Sequence, residues 1–460
     1  MSDFVEATGG PAIAYTELQA TSKSVVSNYF NGPDSGLHPV NYFNMQTFPS
    51  IASQTLLGIS QPTGNVDFGQ KCTITIDPLG TYLCKAALAY EISEVKLLDT
   101  NIFGANGRIR YCQNHCLSTF PELTFAINAI STNVLNLDYL NYYRSNRISP
   151  EERNNFDNMT CNTGTHVMGS KTLKKVEAIF PAPFYFSQDY GIALQISLLK
   201  ICKNEIKFNI ADWTSLVIFE DVVTGDRINP VVGRDIDAAP RLTKLRLLGE
   251  YALIETGALA QTVKDRRLTV EHITTMNPEN FNPANSGNSS YQVGFNYLQK
   301  AVVGAIRNTT FNNEPANYSC GSPVPKETYT DYLSQYGTKS PIKAMTITYG
   351  TQTKVTASNL YFNKLIPYWH SKHQPEPNSH FVVQNYALNI DDLKPTGGCA
   401  LSILNRVLVK IEPSQAAKTA AIGGGTLESG IKEPQKFNFV CFAISLAIMV
   451  TGPSSCVAPS

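Results

Sequence analysis

The stretch CTITIDPLGTYLCKAALA, residues 72–89, decides the fold class because it holds two β-type runs around a tight turn. Residues 72–76 are rich in the β-branched residues that strands favour, and residues 81–89 resume an apolar pattern. Between the two runs, Pro78 presets its backbone φ angle and Gly80 tolerates conformations closed to other residues. The stretch therefore predicts neighbouring strands and an all-β chain.

The same succession of short apolar runs and turn residues continues along the chain. Its spacing is typical of a sandwich or a barrel. It predicts further strands at residues 123–127, 175–179, 191–198, 205–210, 215–220, 245–254, 267–273, 301–306, 344–349, 381–388, 404–412 and 437–450.

Two short helices interrupt this pattern. Residues 136–158 are rich in Tyr and contain Ser149 followed by Pro150 and two acidic residues. Ser caps a helix, Pro suits its first turn and acids favour the positive end of its dipole. This predicts a short helix inserted between strands, and a second candidate lies at residues 257–266.

The length of 460 residues suits two domains of roughly 200 residues plus arms. Gly225, Pro230, Gly233 and Pro240 fall in a segment without apolar periodicity, which is where we place the boundary. The predicted organisation is an N-terminal arm at 1–40, a first β-rich domain at 41–225, a linker at 226–242 and a second β-rich domain at 243–460. Long polar loops are expected at 276–290, 308–340 and 367–380, and a flexible crossing at 414–434.

Charge excludes one class of function. Lys plus Arg (37) equals Asp plus Glu (37), so no net field attracts nucleic acid phosphates or an anionic membrane surface. Charged residues make up only 16% of the chain. We expect no direct nucleic acid binding and an uncharged surface that can be buried against protein partners.

The cysteines and the apolar segments point to a cytosolic protein. The ten cysteines lack the dense pairing of a disulfide-stapled module, and the start, MSDFVEATGG, does not resemble a secretory signal. The longest apolar run, residues 439–450, is too short to span a bilayer and is predicted to be a buried strand.

Two groups of residues resemble metal sites without completing one. Cys112, His115 and Cys116 are close in sequence, but zinc needs a fourth ligand and no second pair lies nearby. His370, His373 and His380 have suitable spacing, yet the prolines between them mark a loop in which exposed histidines are ordinary. We predict no metal and no cofactor.

Two pairs of acids resemble a catalytic dyad only in sequence. Asp391 and Asp392 would point to opposite faces of a strand, and Glu151 and Glu152 suit a helix start. No nucleophile elbow, Walker loop or dinucleotide fingerprint occurs in a suitable context. We predict that the protein is not an enzyme.

Four Asn residues begin Asn-x-Ser/Thr glycosylation sequons: Asn158, Asn288, Asn308 and Asn317. Host glycosylation should not reach a cytosolic chain, so chance in an Asn-rich and Thr-rich sequence is the favoured interpretation. A glycosylation system that acts in the cytosol is the alternative.

Several segments resemble the major capsid proteins of nucleocytoplasmic large DNA viruses, most closely the iridovirus, ascovirus and marseillevirus group. Residues 95–110 (VKLLDTNIFGANGRIR) are similar to the family's strand and turn, and residues 183–194 (PFYFSQDYGIAL) with Asn204-Glu205-Ile206 to its PFFFSRDSGLAL and NEI segments. Tyr386-Ala387-Leu388, Pro395-Thr396-Gly397 and Asn405 resemble a signature near the end of the second domain. The matches run in family order over residues 65–450.

The sequence departs from the family pattern at two places. Gln188 stands where the family usually has Arg, which puts any salt bridge of that Arg in doubt. Gly398-Cys399-Ala400-Leu401 replaces the usual aromatic residue and Ser-Arg after Gly397, so that strand should pack differently.

The resemblance implies a double jelly roll, two eight-stranded sandwiches in one chain with short inserted helices, assembled as a pseudo-hexameric homotrimer. Such capsomers tile the icosahedral shell of a virion built in the host cytoplasm. Implied partners are further copies of the chain, minor capsid or cement and penton proteins, and inner membrane-associated viral proteins. The alternatives are a transient scaffold of the same fold and a two-domain lectin or hydrolase, for which the chain has only two Trp and no convincing acid pair.

Overall fold

The computed structural model describes residues 53–199, 202–223, 226–254, 266–284, 289–320, 339–393, 395–404, 406–423, 434–451 and 456–457. All of these except Ser53 and Ile254 belong to one compact unit; the other unit, residues 1–53 and 254–259, lies almost entirely outside them. The predicted arm at 1–40, the helix expected at 257–265 and Asn405 also lie outside the described residues.

Within the described residues, the first half of the chain contributes eight main strands. They are β1 (Ser53–Ser60), β2 (Lys71–Thr75), β3 (Tyr82–Ile92), β4 (Glu122–Ile127), β5 (Ile130–Asn136), β6 (Val176–Pro181), β7 (Asn204–Asn209) and β8 (Leu242–Ile254). One sheet has the order β1-β8-β3-β6, and the facing sheet has the order β2-β7-β4-β5 with the short strand Pro62–Thr63 beside β2.

The second half repeats this arrangement, again within the described residues. Its strands are β9 (Arg266–Thr275), β10 (Ser289–Gln292), β11 (Leu298–Asn308), β12 (Ile342–Tyr349), β13 (Gln352–Ser358), β14 (Val382–Asn385), β15 (Val407–Pro413) and β16 (Phe437–Thr451). The sheet orders are β9-β16-β11-β14 and β10-β15-β12-β13. Each strand thus occupies the place of the strand eight positions earlier in the chain.

Shorter elements complete the fold. Gly107–Tyr111, Val217–Asp221 and Arg227–Ile228 form a small sheet, Val95–Lys96 pairs with Thr172–Leu173, and Glu279–Phe281 and Cys456–Val457 pair with β16. The helices are Gly104–Asn106 (3-10), α1 His115–Thr119, α2 Leu137–Tyr142, a π-helix Tyr143–Arg147, α3 Pro150–Met159, α4 Gly164–Val167, α5 Tyr185–Gln188, Tyr190–Ile192 and Trp213–Ser215 (3-10), a second π-helix Tyr361–Leu365, α6 Ile366–His370, Leu401–Ile403 (3-10) and α7 Gln415–Ile422.

The all-β prediction and most of the predicted strands are confirmed, including β2 and β3 around the turn at 77–80. The run at 439–450 lies inside β16 as expected. No helix among the described residues is long and apolar enough to cross a bilayer.

Two local predictions were wrong. Residues 191–198 form a 3-10 turn and further turns instead of a strand, and only Leu194 bridges to Leu83 of β3. The apolar side chains of this segment reach the core through turns. A short apolar run in the sequence does not tell such turns from a strand. In the segment 414–434, residues 415–422 form α7, where the Ser414 hydroxyl accepts the Ala417 N–H and Gly423 (φ +85°) ends the helix.

The position of β8 in the sheets also differs from the expected one. β8, which we expected to open the second jelly roll, pairs with β3 in the first-half sheet and takes the place that β16 has in the second half. The expected linker folds onto the first half as well, since Ile228 pairs with Phe219 and Ile236 bridges to Leu97. Periodicity identified β8 as a strand but carries no information about its pairing partner.

Candidate functional site

The junction between the two sandwiches uses the outer face of the second-half sheet β9-β16-β11-β14. Side chains alternate along a strand, so one face of this sheet fills its own sandwich and the other face is free to pack elsewhere. Val302 and Ile306 of β11 belong to the second-half core, whereas Val303 and Ala305 join the core of the first half. The apolar core is therefore continuous across the junction.

The first half covers that face with the segment between β5 and β6, residues 137–175, which we call the first insertion. Asn136 caps α2 by accepting the Tyr139 N–H. Tyr139 and Tyr142 of α2 contact the Phe442 ring edge-to-face, with centroids 5.8 and 5.6 Å apart. These aromatic pairs anchor the insertion on β16.

The π-helix Tyr143–Arg147 follows α2 and carries two arginines into the junction. Arg147 Nη1 lies 2.6 Å from Glu271 Oε2 of β9, and its Nε lies 3.1 Å from Asp391 Oδ1. All three side chains are 7% exposed or less. A guanidinium with two buried carboxylates on the other half fixes the orientation of the two sandwiches, because its donors have a rigid geometry.

Glu271 gathers further partners from both halves. Gln188 of α5 donates to its Oε2 at 3.0 Å, and the fully buried Lys300 ammonium lies 3.4 Å from its Oε1. Burial raises the pKa of Glu271, but the charges of Arg147 and Lys300 outweigh that effect and hold the pKa below its ordinary value. Gln188, which stands where the family usually has Arg, thus donates a neutral hydrogen bond to a carboxylate that Arg147 and Lys300 neutralise.

Arg144 makes a second link. Its Nε and Nη2 donate to both oxygens of Asp157 in α3 at 2.7 and 2.6 Å, and its Nη1 donates to Glu376 of the second half at 2.9 Å. The Asp157 fork holds the guanidinium in place for Glu376. Ser149 caps α3 by accepting the Glu152 N–H with Pro150 in the first turn, as predicted.

A third link joins the small first-half sheet to the second half. Arg227 Nη1 donates to Glu314 Oε1 at 2.7 Å, while Arg108, Arg110 and Arg227 surround Glu220. Burial acts to raise the pKa of Glu220, but these guanidinium charges lower it to about 2.

A fourth link centres on Asp138 of α2. Arg307 of β11 pairs with it at 3.3 Å and the Tyr318 hydroxyl donates to it at 2.8 Å. Here the effect of burial outweighs that of Arg307 and of the Tyr318 hydrogen bond, so the pKa of Asp138 lies above its ordinary value. The four links are spread along the junction, and unpairing any one of them would leave a buried charge.

Two spaces lie beside these links. A polar cleft of about 600 Å³ is lined by Lys85, Arg147, Gln188 and Asp391 among others. A small cavity of about 50 Å³ is lined by Arg144, Tyr318 and Glu376 among others.

The residues considered as metal ligands are not brought together. Cys112 packs with Leu216 and Ile218, whereas Cys116 lies in the main core. Burial, and then the neighbouring His166, lower the pKa of His115 to about 3, so its ring is uncharged. No group of three His, Cys, Asp or Glu side chains is arranged to hold a metal ion in the part of the chain that the structure describes.

Three histidines of the second half, His370, His373 and His380, lie in different surroundings. His370 Nδ1 lies 3.0 Å from the Leu388 carbonyl oxygen, His373 lines the polar cleft, and His380 lines the small cavity. Of the acid pairs, Asp391 faces Arg147 while Asp392 pairs with Lys372 at 2.7 Å. Glu151 and Glu152 sit exposed in the first turn of α3.

The sequons fall into different environments. Asn158 is exposed at the end of α3, and Asn288 lies outside the described residues. Asn308 and Asn317 are 3% and 1% exposed, and their amides donate to Gln435 (2.8 Å) and Glu314 (3.2 Å). A sugar on either buried amide would displace these hydrogen bonds, which argues against glycosylation of Asn308 and Asn317 in the folded chain.

The charged residues of the junction were not identified from the sequence. One signal was available: Glu271 lies inside the predicted strand 267–273 and Lys300 directly precedes the apolar run 301–306, where an unpaired buried charge would be costly. The partners themselves were hidden, since Arg147 and Glu271 are 124 residues apart.

Two eight-stranded sandwiches with the same strand order, joined by a buried junction, define the class: this is a double jelly roll protein. The PBCV-1 virus capsid quasi-atomic model shares the fold with a TM-score of 0.68 at 16% identity, covering 90% of this chain and 98% of that one. The Faustovirus major capsid protein gives 0.70 at 10%, covering 95% and 98%.

Two family models match consecutive parts of the chain. "Major capsid protein N-terminus" matches residues 55–255 and "Large eukaryotic DNA virus major capsid protein" matches residues 255–452. The chain therefore belongs to the major capsid protein family of large eukaryotic DNA viruses. The two models meet at residue 255, immediately after β8.

Curated relatives agree with this assignment. The major capsid protein of Invertebrate iridescent virus 6 is 28% identical over 445 residues, which cover 93% of this chain and 94% of that protein. That of Frog virus 3 is 27% identical over 421 residues, covering 89% and 88%. A member of this family is a structural protein of the virion.

Proposed function

We propose that three copies of this chain associate as a homotrimeric capsomer with a nearly hexagonal outline, and that these capsomers tile the icosahedral shell of a large double-stranded DNA virus. The observation that carries the proposal is the strand-for-strand repeat between the two halves. Three chains with two equivalent sandwiches each place six similar units around a threefold axis, which is the arrangement that tiles a flat facet.

The junction suits this role. A lattice requires each capsomer to keep its shape, and the four charged links across the continuous core hold the two sandwiches against each other. We place the division between the two jelly rolls after β8, at residues 254–255, and count residues 226–242 in the first roll.

We further propose that the chain has no catalytic activity. The buried acids of the junction are paired with arginines or Lys300, which gives them a structural role. Beyond other copies of itself, we propose minor capsid or cement, penton and inner membrane-associated proteins as partners. Lys plus Arg (37) balance Asp plus Glu (37), and this supports the proposal that the chain does not contact the genome directly.

Glycosylation is proposed only for Asn158 and Asn288, and only where a virus supplies cytosolic enzymes. Peptide mass spectrometry of purified particles tests this. Sugar mass on the peptides containing Asn308 or Asn317 would contradict it.

The experiment that tests the capsomer is light scattering coupled to size exclusion at several protein concentrations. We expect a concentration-independent mass three times the 50.5 kDa of the chain. A stable monomer would overturn the proposal. The rival function, a transient scaffold of the same fold, predicts that the protein is missing from mature particles, whereas a capsid protein dominates their mass.

A further inference from the structure

We infer that residues 359–381 of one copy, the second insertion, dock on the outer face of the sheet β1-β8-β3-β6 of a second copy. The inference rests on the proposed function, which it makes specific by naming the two surfaces that meet.

The first step is the internal repeat. The first insertion lies between β5 and β6, and the second lies between their counterparts β13 and β14. Each contains a five-residue π-helix, beginning at Tyr143 in the first and at Tyr361 in the second. Each of these tyrosines stands two residues after an Asn, Asn141 and Asn359. The two insertions are therefore structural equivalents.

The two insertions differ in exposure at equivalent positions. Tyr142, which directly precedes the first π-helix, is 1% exposed and packs on Phe442 and Phe381. Its counterpart Leu360 is 69% exposed, and Tyr368 and Trp369 of α6 are 65% and 57% exposed. Large aromatic side chains with this exposure are typical of residues that anchor protein interfaces.

The exposed residues also shape a groove. Leu360, Tyr361, Leu365 and Tyr368 line a mainly apolar space of about 450 Å³ beside the end of β13. This gives the second insertion a concave apolar surface that another chain can fill.

The receiving surface is the outer face of the sheet β1-β8-β3-β6, whose second-half equivalent is covered. The outer face of β9-β16-β11-β14 is buried by the first insertion, through side chains such as Val303, Ala305 and Phe442. In the equal-length strand β3, Ala87 and Ala89 occupy the positions of Val303 and Ala305. Beside them on the same sheet, Leu57, Ile59 and Ile179 are 71%, 47% and 42% exposed. On this face the first-half sheet exposes Leu57, Ile59 and Ile179 beside charged residues such as Lys85, Glu91 and Arg246, and the described residues leave these apolar side chains uncovered.

The second insertion is the equivalent of the first insertion, and the outer face of β1-β8-β3-β6 is the equivalent of the outer face of β9-β16-β11-β14. The first insertion and the outer face of β9-β16-β11-β14 form the junction. Inside one chain, the first insertion covers the second-half sheet. Repeating that contact in the same direction brings the second insertion to the first-half sheet of another copy. Head-to-tail contacts of this kind close into a ring when the rotation permits, and three chains supply six such contacts, three internal and three between copies.

Leu360→Asp and Ile179→Asp test the two surfaces separately, and Ile403→Asp is the matched control, since Ile403 is 81% exposed on the 3-10 helix Leu401–Ile403 outside both surfaces. Light scattering over a dilution series should show that each test variant needs at least about tenfold more protein to remain trimeric, because a charge replaces an apolar contact. The control should follow the unaltered chain. Thermal melting of all variants at monomer concentration checks that the fold is intact.

The outcomes separate the two levels of the proposal. If the unaltered chain is a monomer, the proposed capsomer fails and the surfaces with it. If the unaltered chain is a trimer that dissociates no more readily with Leu360→Asp and Ile179→Asp, the capsomer stands and this inference is overturned. A photo-crosslinker placed at Tyr368 should attach to the first half of another copy, and attachment to a second half would also overturn it.

Discussion

The two insertions occupy equivalent places in the two jelly rolls, yet the residues at and beside their π-helices differ in exposure. The first insertion brings Arg144, Arg147 and Asp138 to charged partners on the second half and is buried. The second insertion presents Leu360, Tyr368 and Trp369 to solvent. A contact formed while the chain folds can bury ion pairs, because the partners are present at once and tethered. A surface that must exist uncovered before assembly avoids charges that would have to be stripped of water.

The largest effect is expected from Arg147→Ala. The substitution leaves Glu271 and Asp391 without their shared guanidinium in the buried junction. Removing one partner of a buried ion pair lowers the free energy of unfolding by about 3–5 kcal/mol. Because Arg147 pairs with two carboxylates, we expect a loss of about 5 kcal/mol. Urea unfolding followed by circular dichroism measures the change in the free energy of unfolding.

The matched control for this change is Lys343→Ala. Lys343 pairs with Glu412 on the surface at 2.6 Å. An exposed pair contributes about 1 kcal/mol or less. Equal losses for the two variants would show that burial of the junction charges does not matter.

A somewhat smaller effect separates the two insertions directly. Tyr142→Ala removes the ring that packs on Phe442 and Phe381, which should cost about 3–4 kcal/mol. Leu360→Ala, at the equivalent but exposed position, should change the monomer by no more than about 0.5 kcal/mol. Both are measured by urea unfolding at a concentration where the chain is monomeric, and a large loss for Leu360→Ala would refute the equivalence.

The pH dependence of stability tests the third link. The folded pKa of Glu220 is about 2, below its ordinary 4.5, so its contribution is present above pH 4.5 and is lost as the pH falls towards 2. The loss should be roughly 2–3 kcal/mol. Melting temperatures recorded from pH 6 to 2 should fall less steeply below pH 4.5 for Glu220→Gln. An unchanged slope would contradict the assignment.

The smallest effect is expected from Gln188→Arg, which restores the residue usual in the family. Because Arg147 and Lys300 already neutralise Glu271, the change should alter stability by less than about 1 kcal/mol. In the Arg147→Ala background the same change should recover about 1–2 kcal/mol by supplying the missing cation. Denaturant unfolding of the four chains forms a double-mutant cycle, and a zero coupling energy would show that the two positions are independent.

Much of the local structure could be predicted from the residues alone. The apolar runs with turn residues between them locate β2, β3 and most other strands, because side-chain alternation and turn chemistry are local properties. Ser149 and Pro150 likewise mark the start of α3, since capping involves only neighbouring residues. Residues 191–198 show the limit, because an apolar run reaches the core equally well through turns.

Pairing and burial are different, because they depend on residues far apart in the chain. The sequence predicts that β8 is a strand, but only the fold shows that it pairs with β3 in the first half. The sequence shows Arg144 and Arg147 in a Tyr-rich segment, and only the fold brings them to Glu376 and Glu271, 232 and 124 residues away. The contrast between the insertions has the same origin. Leu360 and Tyr142 are both large residues before a π-helix, and which one is covered is decided by the sheet that packs against it.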